Sequence, residues 1–144
     1  MSSGLPFEAV RDLAREAPVA ITVRGLSMAP RLRDGDRVEI APARFYRPGD
    51  VVAFRNADGH LIVHRLLGYR LRAGRLACVT RGDAAPLPDA PIPFANLLGR
   101  VVRVAHIARR TPRQAGLVTP MDRVRSVLGF LALAAAAAGR RLRG

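Results

Sequence analysis

From Ala20 to about Arg109, short runs rich in β-branched and apolar residues alternate with Gly, Pro, Asp and Asn, and this pattern predicts strands. The expected strands are 21–24, 36–41, 50–55, 60–72, 75–81 and 98–107. Asn56-Ala-Asp-Gly59 and Ala73-Gly74 are hairpin signals, and connections this short require antiparallel pairing. Residues 83–93, DAAPLPDAPIP, carry four prolines. Without backbone N–H groups these cannot serve a central strand, so the segment is expected to be a loop.

Both ends change period. Over 5–17, Leu5, Phe7, Val10, Leu13 and Ala14 fall near one face at helical spacing, with charges elsewhere, as in a short amphipathic helix. Val124–Gly139 predicts a second helix, uncharged for 14 residues over SVLGFLALAAAAAG. That uncharged stretch reaches about 21 Å as a helix, against about 30 Å of bilayer hydrocarbon. The expected organisation is an N-terminal helix in 1–19, a β domain in 20–109, and a linker with an apolar helix in 110–144.

A chain of 144 residues suits one domain with small additions. The net charge of +13 comes entirely from arginine, since none of the 24 basic residues is lysine. Such a field is compatible with nucleic acid, an anionic membrane face or an acidic partner. No nucleic-acid motif or interleaved aromatic pattern favours the first. Cys78, the single cysteine, excludes an internal disulfide and a thiolate-based four-ligand zinc site, and its place in a predicted strand makes it a small core residue. The N-terminal segment lacks the basic start, apolar run and cleavage site of a secretory signal, and no anchor is expected there. The C-terminal helix suits core or partner packing. With arginines at 123, 125, 140, 141 and 143 around it, shallow association with a cytoplasmic membrane is the alternative.

Ser27 follows a short strand in Gly25-Leu-Ser-Met-Ala-Pro30, where a turn could present its hydroxyl beside backbone N–H groups. A serine in a tight turn is ordinarily structural, as is a lone strand histidine such as His64. His60 and His64 lie four apart, but strand spacing separates such positions by about 13 Å and no glutamate base adjoins them, so neither a metal nor any other cofactor is expected. His60 and His106 read as ordinary strand or turn residues.

The ordered series GLSMAP, RDGDRVEI, RPGDVVAFR, IVHRLLG and VTRGD, spanning about 22–104, resembles the signal peptidase I and LexA-like serine peptidase superfamily. The resemblance implies an antiparallel β fold with Ser27 as nucleophile. Most bacterial members use a lysine base, which this chain lacks, and a permanently protonated arginine cannot replace it. Val63-His64-Arg65 and Thr80-Arg-Gly-Asp83 resemble the branch of SipW-like, archaeal and endoplasmic-reticulum signal peptidases, in which histidine is the base and an acid completes the site. Carried over, His64 takes the Ser27 proton, as a neutral imidazole can. Asp83 and Asp89 are both expected to contribute, one facing His64 and the other ordering the loop. Asp36 and Asp50 are expected to hold turns.

Gly25-Leu26 stands where many signal peptidases have Ser-Gly before the nucleophile, so the oxyanion hole would depend on the Ser27 N–H and another donor. The implied activity is endoproteolysis of signal or leader peptides, with small residues before the cut and the substrate extended along a strand edge. Without an N-terminal anchor the β domain would remain cytoplasmic, and the substrate would be a leader peptide or a regulatory protein. A catalytically silent peptide-binding module and an arginine-rich nucleic-acid binder are the rival classes. A self-cleaving regulator of the LexA type is disfavoured by the missing lysine and the short N-terminal arm.

Overall fold

The computed structural model describes residues 6–105, 113–114 and 118–141. Its centre is an antiparallel sheet of eight strands among these residues: β1 (Val19–Thr22), β2 (Arg37–Ala41), β3 (Val51–Arg55), β4 (Leu61–Arg72), β5 (Arg75–Arg81), β6 (Ile92–Pro93), β7 (Leu97–Ala105) and β8 (Arg113–Gln114). The spatial order is β1-β2-β7-β3-β4-β5-β6, with β8 against β7. The predicted turns close the hairpins. Around Gly59 the Asn56 N–H donates to the His60 carbonyl and the His60 N–H to the Asn56 side-chain Oδ1, and Ala73 and Gly74 both take positive φ, which the two-residue connection between β4 and β5 requires. The proline-rich segment contributes only the two-residue edge strand β6.

Alternation along β3 explains why it reads as an unbroken apolar run. Val51 and Ala53 enter one core with Met28, Leu32, Val38, Ile40 and Leu98, while Val52 and Phe54 enter a second with Leu66, Cys78 and Ile92. A strand buried on both faces needs no polar positions. Cys78 is fully buried, and desolvation pushes its thiol up to about 12, so it is an inert core residue.

Helix α1 (Phe7–Glu16) sets Phe7, Val10 and Ala14 on the first core. Leu13, expected on the same face, is 47% exposed, and Leu5 lies outside the described residues. Helix α2 (Pro120–Arg141) starts about one turn earlier than expected. The signal for that start was Thr119-Pro-Met-Asp122. The Thr119 hydroxyl accepts the Asp122 N–H, and the Asp122 carboxylate accepts from the Thr119 N–H and hydroxyl. This is a reciprocal cap with proline at the first helical position, where its missing N–H costs nothing.

Several contacts dock α2, among them a hydrogen bond from Arg123 Nη1 to the Pro48 carbonyl. Asp122 pairs with Arg31 at 2.6 Å, Arg123 with Asp50 at 3.1 Å, and the Phe130 ring lies where a side chain at Gly68 would be, about 3 Å from a Cβ built there. Met121, Val124, Leu128 and Leu131 remain exposed on another face. No helix among the described residues is long and apolar enough to cross a membrane.

Burial alone would push the Asp122 carboxyl up. The hydrogen bonds from Thr119 and the nearby Arg65 and Arg31 guanidinium groups outweigh it and hold the group below the usual carboxylate range. A carboxyl depressed in the folded state stabilises above its unfolded pKa and loses that contribution as pH falls through the folded value. Docking of α2 should therefore weaken below about pH 4. Hydrogen exchange of α2 amides across that range checks this, and Asp122→Asn should flatten the dependence.

Candidate active site

Ser27 is held by the burial of its neighbours. Met28 and Leu32 are sunk in the first core, while Ser27 and the 69% exposed Leu26 stay outside. Gly25 has a φ of +82°, a conformation natural to glycine, and its N–H donates to Asp34 Oδ1 at 2.7 Å. The following turn is closed by N–H groups of Ala29, Arg31 and Leu32, and among the described residues the Ser27 N–H takes no part in it.

His64 reaches Ser27 from β4, paired in register with Val52. Its Nε2 lies 3.0 Å from Ser27 Oγ, and its Nδ1 lies 2.7 Å from Asp89 Oδ2. An ionised carboxylate only accepts, so Nδ1 carries the proton and Nε2 is left to accept from the serine hydroxyl. Phe54 meets the imidazole edge-on, with centroids 6.1 Å apart.

Asp89 is tethered through the fully buried Thr80. The Asp89 N–H donates to the Thr80 carbonyl at 2.8 Å, and the Thr80 hydroxyl donates to Asp89 Oδ2 at 2.7 Å. One carboxylate oxygen thus faces both the imidazole and the hydroxyl. The loop carrying four prolines is brought back to β5 by this pair of bonds, and no spacing rule in the sequence announces Thr80 as its anchor.

Asp83 contacts neither Ser27 nor His64 in any described interaction. It forms a two-point ion pair with Arg65, at 2.7 Å to Nε and 2.6 Å to Nη2, while Arg65 Nη1 donates to the Gly49 carbonyl. The geometry places Asp89 against His64, with its bonds to Thr80 also holding the loop, and places Asp83 against Arg65. Asp36 and Asp50 accept the Arg33 and Arg47 N–H groups in their turns, as expected, and Asp50 also receives Arg123. His60 is exposed in the hairpin turn, and His106 lies outside the described residues. No cluster of metal-ligating side chains occurs among the described residues.

Gly82, which sequence reading passed over, approaches both Ser27 and His64 closely. A Cβ there would lie 2.7 Å from the Ser27 carbonyl oxygen, 3.0 Å from Ser27 Cβ and 3.1 Å from His64 Nε2. Only a hydrogen atom fits between Ser27 and His64 at this approach. Gly82→Ala should force the pair apart, costing about 1–3 kcal/mol in stability and roughly a hundredfold in any rate that depends on their alignment. Denaturant titration and single-substrate kinetics on the same preparation separate the two effects.

Beside Ser27 and His64 is a small groove of about 170 Å³, walled by Ile21, Val23, Arg24, Ile62 and Val63. Residues Leu61–His64 pair only with β3, because β5 joins β4 from Arg65 onward, so their other edge is open among the described residues. An extended peptide entering there would find unpaired backbone groups and a modest apolar recess next to the serine hydroxyl.

A family model described as Peptidase S24-like matches residues 4–80, a span that holds Ser27 and His64 and ends before Asp83 and Asp89. The chain matches no curated protein.

Proposed function

The chain belongs to the Peptidase S24-like family, whose activity is of the serine peptidase type, and from that premise we propose that it is an endopeptidase in which Ser27, His64 and Asp89 act together on signal or leader peptides. The observation that carries this reading is the unbroken series Ser27 Oγ, His64 Nε2, His64 Nδ1 and Asp89 Oδ2, with contacts of 3.0 and 2.7 Å.

In the proposed reaction, His64 Nε2 removes the Ser27 proton as Oγ attacks the scissile carbonyl. The developing oxyanion is met by backbone N–H donors, for which the unused Ser27 N–H is the nearest candidate. His64 then returns the proton to the leaving amine, and the acyl-serine is hydrolysed by water activated at the same nitrogen. Asp89 keeps the proton on Nδ1 and stabilises the imidazolium, and Thr80 holds Asp89 in place. Asp83 acts as a positioning residue, keeping Gly82 against the Ser27–His64 pair through its ion pair with Arg65. Small residues before the cut suit the 170 Å³ groove.

The exposed apolar face of α2 and the arginines near it support a role for this helix at an anionic membrane surface, where it would hold the β domain close to leader substrates.

The test is incubation of the purified chain, in detergent, with an Ala-x-Ala leader peptide, followed by mass analysis of the products. A single cut after a small residue, together with labelling of Ser27 by a serine-directed phosphonate, is the expected result. Binding of the peptide without cleavage or labelling would instead favour the silent peptide-binding reading.

A further inference from the structure

The arginines are unevenly spread around the candidate site, and one cavity collects several of them. It encloses about 550 Å³ between α2, β4, β5 and the turn after Ser27. Its charged walls are Arg31, Arg65, Arg81, Arg125, Asp83 and Asp122. The two carboxylates are already engaged, Asp83 by Arg65 and Asp122 by Arg31, each with a contact of 2.6 Å. The guanidinium groups of Arg81 and Arg125 have no ion pair or hydrogen bond with any described residue. Four cations against two anions leave the lining with a surplus of two positive charges. Ser126 lies in the same wall, and its buried hydroxyl is also without a partner.

The position of the cavity matters as much as its charge. Along β4, Leu61–His64 line the apolar groove, whereas Arg65 and Leu67 line the arginine cavity. Along the other wall, Ile21–Arg24 precede Ser27 in the groove, and Ala29–Arg31 follow Ser27 in the cavity. The groove is lined by Ser27 and His64 themselves, and the cavity by their near neighbours in the chain, Ala29 and Arg65. The path proposed for a peptide crossing that pair runs from the groove, which takes its acyl half, toward the cavity.

We propose that this cavity is a specificity site for an acidic side chain in the leaving half of the substrate, with Arg81 and Arg125 as its recognition groups. The assignment rests on the endopeptidase reading for the direction of the peptide. A guanidinium presents paired N–H donors that match a carboxylate, and charge-assisted bonds in a recess are stronger than those on open surface. The existing pairs Arg65–Asp83 and Arg31–Asp122 form the rigid frame of the recess. An acidic residue bound there would fix the register of the chain across Ser27.

The test measures binding to Ser27→Ala protein at constant ionic strength. Two leader-type peptides differ at one position after the scissile bond, glutamate in one and glutamine in the other, and that position is moved stepwise away from the bond. At one position the glutamate peptide should bind about tenfold more tightly. The preference should fall to about one in the same protein carrying Arg81→Gln and Arg125→Gln with an unchanged Tm. Equal binding or no binding at every position, or a preference that survives both replacements, overturns the proposal. Inorganic phosphate is the comparison for a free anion. If phosphate binds through Arg81 and Arg125 while the peptides are not distinguished, the cavity serves a free anion and the assignment to substrate falls. Since no cleavage is required, a wild-type chain that cuts nothing yet shows the glutamate preference would refute the endopeptidase reading and leave the acidic-ligand site standing.

Discussion

Ser27→Ala will lower kcat/KM for leader-peptide cleavage by about ten-thousandfold or more, and His64→Ala will do the same. In the proposed mechanism the two residues share one proton transfer, so removing either disables the other. The double variant should therefore lose little beyond the worse single one, which is the mark of groups acting as a unit. Ser27 is exposed, and its hydroxyl supports no packing, so the alanine protein should match the wild type in denaturant midpoint to within about 0.5 kcal/mol. Kinetics across substrate concentrations from below to above KM, set beside a urea titration, make the comparison. A Ser27→Ala protein that still cuts at a tenth of the wild-type rate would remove the nucleophile from the mechanism altogether.

Asp89→Asn should cost nearly as much, on the order of ten-thousandfold in kcat, with a small change in stability. Asparagine keeps the shape, but the amide can present its NH₂ to Nδ1. The imidazole would then turn its proton-bearing nitrogen toward Ser27 and have no lone pair for the hydroxyl. Asp83→Asn offers the contrast. Arg65 is 7% exposed and Asp83 16%, so this substitution leaves a nearly buried guanidinium without its anion. The expected loss is about 3 kcal/mol in unfolding free energy. Its effect on kcat should be secondary, arising through Gly82. Measuring both quantities for both variants separates the acid that orients the base from the acid that holds the fold. If Asp83→Asn proved the stronger kinetic lesion and Asp89→Asn the weaker, the assignments would exchange.

Much of this was legible in the chain itself, for identifiable reasons. Hydrophobic alternation and turn chemistry are local properties, so the six longer strands and the hairpin at Ala73-Gly74 could be read with small errors at the ends, whereas the edge strand β6 in the proline-rich segment, expected to be a loop, could not. The absence of lysine alone excluded one proton acceptor, whatever the fold. The order of the boxes around Ser27 and His64 pointed to the superfamily, to which the match over residues 4–80 belongs.

Tertiary structure decided what depends on residues distant in the chain. Asp83 and Asp89 are equivalent candidates in sequence, and only the return of the loop onto Thr80 gives His64 to one while Arg65 claims the other. Gly82 looks like a turn glycine until Ser27, 55 positions earlier, closes on it. The early start of α2 could have been read from Thr119 and Asp122, but its docking depends on Arg31 and Gly68, which nothing local connects to it. Composition likewise fixed the excess of arginine, yet only folding gathers Arg81 and Arg125 into one cavity. Local sequence sets backbone preference and the chemistry available. Partner choice belongs to the packed chain, because hydrogen bonds and ion pairs are selected by proximity in space.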